Sequence, residues 1–157
     1  MTDPQDTLIR RYFWNRPFIF DEETQKYRPP ASAFAPRPKD LGLSVNIEKS
    51  LLAAGHKPDW AVDHDRFYAF RLTVGACMSQ QLSVESTPKQ GDSVHANNPH
   101  HADIRGVVEL KARCGALSGI DQEECLELYD TVLQNLRKAS EVIIESLDVF
   151  YQKEKTK

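Results

Sequence analysis

Long apolar runs are missing from this 157-residue chain. None reaches ten residues, far short of the ~20 that a membrane-spanning helix requires, so the sequence predicts a chain that does not cross a bilayer. A strong charge of either sign is missing too. Twenty Lys and Arg face 23 Asp and Glu, and a net charge of −3 supplies no field that would gather nucleic acid; a polyanion would need a local basic patch. Cysteine is scarce: Cys77, Cys114 and Cys125 are an odd number without a CxxC pair. That pattern is expected of three reduced packing thiols in a cytosolic protein, with Cys77 the one to consider as a reactive thiol, and not of a disulfide framework. The first eleven residues have neither the apolar core nor the cleavage site of a secretory signal, so the expected location is cytoplasmic. All nine prolines fall before residue 100 and break up that part of the chain, which leaves long helices to the C-terminal third.

What is present suits one domain with one core, at 40% hydrophobic residues. Tyr12 to Phe20 is dense in aromatics and reads as a strand, which Pro17 would confine to a sheet edge or a bulge. Asp21 to Pro30 reads as a polar loop. Residues 29–38 hold too much proline for a helix and should run extended, anchored by their apolar side chains. Leu41 to Val45 alternates like a strand, after which Asn46 is expected to cap a short helix closed by Gly55. Phe67 to Val74 and Leu82 to Ser86 are further strands. The fold expected is α+β, with a small mixed or antiparallel sheet from residues 11–90 packed against a C-terminal helical segment.

That segment carries the clearest periodicity. Val107, Leu110, Cys114 and Leu117 fall at helical spacing, although Val108, Leu110, Ala112 and Cys114 also fit a strand. Asp121 with Glu124 forms a capping-box pattern, and Cys125, Tyr129, Val132, Leu136, Ala139, Ile143, Leu147 and Phe150 then mark one face. Residues 106–153 are thus expected to form a helical hairpin or one long helix over about 121–152. Such a helix would span ~48 Å, against a diameter of roughly 40 Å for a compact globule of this length. Its end either bends back or projects, and a projecting end would offer Leu136, Ile143, Leu147 and Phe150 to a partner helix or a second copy of the chain.

Chemistry concentrates in His95-Ala96-Asn97-Asn98-Pro99-His100-His101-Ala102-Asp103-Ile104-Arg105. Three imidazoles, a carboxylate and a guanidinium within eleven residues admit a transition-metal site, a general acid or base working near neutral pH, or simply a turn at Asn98-Pro99 with a histidine bonded to backbone. The distant cysteines supply no second half of a zinc site, so no metal or cofactor is expected. In an extended segment His100 and His101 point to opposite faces. Arg37, between two prolines and ahead of Asp40 and Ser44, is placed to hold phosphate or carboxylate, or to pair with Asp40. Arg10, Arg11 and Arg16 interleave with Tyr12, Phe13 and Trp14; on a strand the aromatics should enter the core and the arginines face water, so nucleic acid is not the expected partner.

The stretches Ala33-Phe34-Ala35-Pro36-Arg37 with Asp40 and Leu43-Ser44-Val45, and then Asn98-Pro99-His100-His101-Ala102-Asp103-Ile104, resemble a pattern shared by small bacterial proteins of unassigned activity. The resemblance implies a bacterial cytoplasmic origin. It also implies that Arg37, Asp40, Ser44, Asn98, Pro99 and His101 belong together, and it favours His101 over His100. The leading expectation is a non-catalytic binding or assembly subunit of a bacterial multi-protein system, associating with another protein or with itself through the C-terminal helix. The alternative is a small hydrolase or transferase acting on a nucleotide-like anion. It would use His101, or His100, with Asp103 as catalytic groups, and Arg37, Asp40, Ser44, Asn98 and Arg105 to bind substrate.

Overall fold

A computed structural model describes residues 3–15, 18–92 and 97–143. Among these residues eight strands, β1 (Thr7–Phe13), β2 (Ile19–Asp21), β3 (Lys26–Arg28), β4 (Leu43–Ile47), β5 (Phe67–Thr73), β6 (Ser83–Ser86), β7 (His101–Arg105) and β8 (Glu141–Ile143), combine with four helices. These are α1 (Glu48–Ala53), α2 (Val74–Met78), α3 (Val107–Gly115) and α4 (Gly119–Lys138), and a 3-10 turn occupies Ala31–Phe34. Six strands form one antiparallel sheet in the order β6-β7-β4-β1-β5-β8, and β2 with β3 makes a separate hairpin. The architecture is α+β, as the sequence suggests.

Alternation divides the sheet into two unlike faces. Leu8, Leu43, Val45, Tyr68, Phe70, Leu72, Ala102, Ile104 and Val142 enter the main core, which is closed by Val107 of α3 and by Tyr129, Val132, Leu133 and Leu136 of α4. Ala33 and Phe34 join that core, so the proline-rich stretch is anchored as expected, by a 3-10 turn in place of a fully extended run. The opposite face holds a small cluster of Ile9, Leu51 and Ala69 beneath Trp60 and Val62; elsewhere it is largely polar, apart from the Phe13–Phe67 ring pair at one end of β1 and β5.

The first strand begins at Thr7 and lies between β4 and β5, not at a sheet edge, because Arg10 and Arg11 fit an alternation that the aromatic count alone obscures. Asp21 to Pro30, expected as a loop, contains the turn and second strand of the β2–β3 hairpin, in which Ile19, Phe20 and Asp21 pair with Arg28, Tyr27 and Lys26; Arg28 secures it by donating to Asp21 and to the carbonyl of Ser140. Asn46 is a strand residue and not a cap, for α1 starts after Ile47 without any side-chain cap. Gly55, at φ +80, closes that helix as expected. The sheet also extends beyond residue 90, taking in β7 and β8.

The largest correction is to the C-terminal helix. It runs from Gly119 to Lys138 without using Asp121 as a cap, and after Ala139 and Ser140 the chain forms β8 against the edge of β5. Ser140 Oγ donates to the Leu136 carbonyl, ending the helix where a β-prone Val-Ile-Ile run begins. Leu136, expected at an interface, is fully buried in its own chain, and Ile143 packs on the small cluster of the polar face. Leu147 and Phe150 lie outside the described residues. Among the described residues no helix is long and apolar enough to cross a membrane.

Cys114 and Cys125 form a disulfide that staples α3 to α4, while Cys77 is free and buried, its thiol pushed up to about 12 by loss of water. Three reduced thiols were expected because CxxC spacing is missing, yet two antiparallel helices bring cysteines eleven residues apart into contact. The cysteine pattern therefore carries no argument for a reducing compartment. Titration of the unreduced, denatured chain is expected to give one thiol; three would remove the staple. With a loop of this length, replacing Cys125 by Ser should cost about 3 kcal/mol in urea unfolding.

On the polar face Glu48 ties three elements together. Its carboxylate accepts both Nε (2.8 Å) and an Nη (2.7 Å) of Arg71 in β5 and the hydroxyl of Thr7 in β1. The hydrogen bonds from Arg71 hold its pKa below the usual carboxylate value despite burial. A depressed carboxylate stabilises the fold above its unfolded pKa, and the contribution disappears as pH falls through the folded value. Glu48→Gln should therefore cost about 2 kcal/mol at pH 7, less than a fully buried pair because Arg71 is one-third exposed, and the deficit should shrink below pH ~4.

Candidate functional site

A cleft of about 140 Å³ opens on the polar face where β1 and β4 part. These strands pair only at Leu8 with Ile47 and Ile9 with Asn46, whereas β1 pairs with β5 along its whole length. Beyond Ile9 the gap is bridged by Arg10, whose guanidinium donates to the carbonyls of Ala33 (2.9 Å) and Ser44 (2.7 Å). Burial lowers the Arg10 pKa to about 10, partly offset by Asp40, so it remains a cation at neutral pH.

The sheet register sets the floor. Ile9 and Arg11 of β1, Ser44 and Asn46 of β4, and His101 of β7 share one face, with His101 directly opposite Asn46. Trp60, Ala61 and Val62 form one wall, and Lys89 and Asn98 form the other. Lys89 and Asn98 exchange two backbone hydrogen bonds of 2.8 Å, which pins that wall beside His101. The Arg11 guanidinium lies over the Phe67 ring of β5, 4.6 Å from its centroid, and among the described residues Arg11 has no ion pair. Partial burial lowers its pKa, and the nearby charges of Arg37 and Arg66 add to the effect.

Hydrogen bonding orients the amides. The backbone N–H of His100 donates to Asn98 Oδ1 (3.0 Å), so Asn98 Nδ2 is free to donate to Asn46 Oδ1 (2.7 Å). Asn46 Nδ2 is left as a donor without a partner among the described residues. His101 is oriented just as firmly. Its Nδ1 lies 3.1 Å from the Thr87 carbonyl and 2.8 Å from the Thr87 hydroxyl. A carbonyl only accepts, so the tautomer assigned from this contact carries its proton on Nδ1 and a lone pair on Nε2. Nε2 is buried and has no hydrogen-bond partner among the described residues. Burial chiefly, and Lys89 next, lower the His101 pKa against opposing contributions from Asp103 and the Thr87 bond.

Of the residues singled out from the sequence, Ser44, Asn98 and His101 meet in this cleft. Arg37 does not line it; its side chain is 82% exposed and pairs with Asp40 at 3.4 Å, although its charge is felt by Arg10 and Arg11. Asp103 and Arg105 share the polar face but pair with each other (3.5 Å), and Arg105 also meets Glu85 (3.1 Å) and the Leu41 carbonyl. They hold β6, β7 and the turn before β4 together and do not reach the cleft. His100 is buried behind the Trp60 wall, its Nδ1 2.6 Å from Ser50 Oγ and its ring edge-on to Trp60 and His56. Burial and His56 lower its pKa. His95 lies outside the described residues, and among those described no three His, Cys, Asp or Glu side chains converge as a metal site.

Arg10, Arg11, Asn46, Trp60 and Lys89 were not singled out as site residues. Alternation along Leu43-Ser44-Val45-Asn46 would have put Asn46 beside Ser44, but nothing in the sequence brings Trp60 or Lys89 to them. Comparison of the chain with protein-family models, curated proteins and solved structures gives no match, so the chemistry of the cleft is argued from its own geometry.

Both cleft-side imidazoles have folded pKa values below the ordinary histidine value of about 6.5. The unfolded chain then binds more protons than the folded one between the folded and unfolded values, so stability rises with pH across that window. The melting temperature should fall as pH drops from 7.5 to 5.5. In His101→Gln that slope should be shallower; an unchanged slope would mean that His101 keeps an ordinary pKa.

Proposed function

We propose that this chain binds a small organic oxyanion in the cleft between β1 and β4, with Arg11, Lys89 and Asn46 donating to the anion. The observation that carries this reading is the charge of the lining: among the described residues every charged side chain that lines the cleft, Arg10, Arg11 and Lys89, is a cation. Arg11, laid on Phe67, keeps its guanidinium fork in place at little further entropic cost.

A catalytic use of the same geometry is the second reading. A neutral imidazole with a lone pair facing a bound hydroxyl is equipped to take its proton, which suits a hydrolase or transferase with His101 as general base. An assembly role was the first expectation from the sequence. It rested on a stripe of which Cys125, Tyr129, Val132 and Leu136 are buried in their own chain, Ile143 is half-buried and Ala139 is exposed. Leu147 and Phe150, its last two members, lie outside the described residues.

In calorimetric titrations at constant ionic strength, small dianions such as phosphate or malonate are expected to bind at one site per chain. Arg11→Ala should weaken them at least tenfold, while shifting the melting temperature of the free protein by less than about 2 °C because Arg11 is exposed. No binding by any anion, or equal binding by the variant, would refute the assignment.

A further inference from the structure

Beyond the cleft, and independently of what it holds, we infer that the same sheet face binds single-stranded nucleic acid at its Phe13–Phe67 end, with phosphates on Arg11 and Arg66 and a base stacked on Phe13. A chain with a net charge of −3 supplies no general attraction for a polyanion, so binding has to come from a local patch of cations and exposed rings. The end of β1 and β5 carries both.

Register brings the parts together. Alternation sends Tyr12 and Trp14 towards the core, as the sequence suggests, but it sets Phe13 two residues from Arg11 and on the same face. The separation of aromatics from arginines, which argued against nucleic acid, therefore fails at this residue. β5 supplies Phe67 directly opposite Phe13, with the ring centroids 4.7 Å apart. Phe13 leans on Phe67 and still keeps 42% of its surface in water.

Two cations flank these rings. The guanidinium carbons of Arg11 and Arg66 lie 4.6 and 5.5 Å from the Phe67 centroid, and neither arginine has an ion pair among the described residues. After burial, what lowers the Arg11 pKa is the charge of Arg37 and Arg66, so its charged surroundings are cationic. The carboxylate of Asp63, three residues before Arg66, accepts from the backbone N–H of Asp65 in its own turn and makes no ion pair with Arg66. An anion docking on Arg11 and Arg66 thus displaces no salt bridge and gains charge-assisted hydrogen bonds.

The combination narrows the anion. A run of carboxylates would answer the guanidiniums and leave the exposed ring in water. A single strand brings phosphates for the cations and, beside each phosphate, a flat base for the ring, whatever its sequence. In a duplex the bases are already stacked on one another, so only the phosphates would be answered. Phe67 serves as the support: half-buried beneath the two guanidiniums, it holds them by cation–π attraction while Phe13 offers the stacking surface.

The test is fluorescence anisotropy with a labelled oligothymidylate of about 12 nucleotides, a duplex of the same length and an acidic peptide of alternating Glu and Trp. The single strand is expected to bind at about 50 mM salt, with log K falling against log salt at a slope of about −1.4 for two phosphates. Phe13→Leu, which keeps the apolar contact and removes the ring, should weaken it at least about fivefold at an unchanged slope, and Arg66→Ala should reduce the slope by about 0.7. Neither residue lines the cleft, so both variants should bind malonate within about threefold of wild type, which also reports that they are folded. Absence of single-strand binding would overturn the inference and leave the cleft reading standing. Equal affinity for the duplex would overturn the stacked base, and equal affinity for the peptide would overturn nucleic acid as the partner. Wild-type affinity for the single strand in both folded variants would overturn the patch.

Discussion

The parting of β1 from β4 is the constraint from which the rest of the molecule follows. β1 is fully paired with β5 on one side, but on the other it leaves β4 after Ile9, and the carbonyl of Ser44 would face the gap without a ladder partner. Arg10 fills that position with its guanidinium, exchanging a strand–strand hydrogen bond for a charge-assisted one. A sheet interior thus acquires a buried cation and a cleft at the same place. Had the two strands stayed paired, the polar residues of the face would form a flat, solvated surface with no enclosed volume.

The two sides of the sheet carry different loads. One face is closed by α3 and α4, joined by the Cys114–Cys125 bond, and holds nearly all the large buried side chains. Among the described residues the other is covered by α1 and residues 56–65, anchored through Glu48 with Arg71 and through the small cluster around Ile9. This division puts most of the main core on the other side of the sheet from the cleft, with Val45 common to both, so polar groups can be concentrated there at limited cost to the fold. The rigidity of the cleft comes instead from short polar relays. Thr87 holds His101, the backbone of His100 holds Asn98, and Asn98 holds Asn46. Each fixes a side chain by hydrogen bonding to backbone or to the next amide, which is how a cleft without its own hydrophobic core keeps its shape.

Local periodicity made a good part of this legible. The α+β class, β5, the helix closed by Gly55, α3 and the start of the C-terminal helix all follow from patterns within a dozen residues. The failures share one cause. Asn46 looks like a cap because Asn before a helical stretch is a cap by local rules, but its side chain answers to Asn98, which is distant in sequence. The stripe from Cys125 to Phe150 looks like one helix because period does not reveal where tertiary pairing takes over, and β8 is formed by the open edge of β5. Within the site, Ser44, Asn98 and His101 were recognisable as a group, while Arg105 and Asp103 were read as free for a ligand when they serve each other and Glu85.

The amino-acid sequence by itself determined the α+β class, several of the strands and helices, and the polar character of the segment around His101, because these depend on side chains that are near neighbours along the backbone. Tertiary structure alone decided which strand pairs stay closed, that Arg11, Lys89 and Trp60 stand around His101, and that the helix ends at Lys138. Those outcomes depend on register and on the donors and acceptors of remote strands, and a one-dimensional pattern does not contain them.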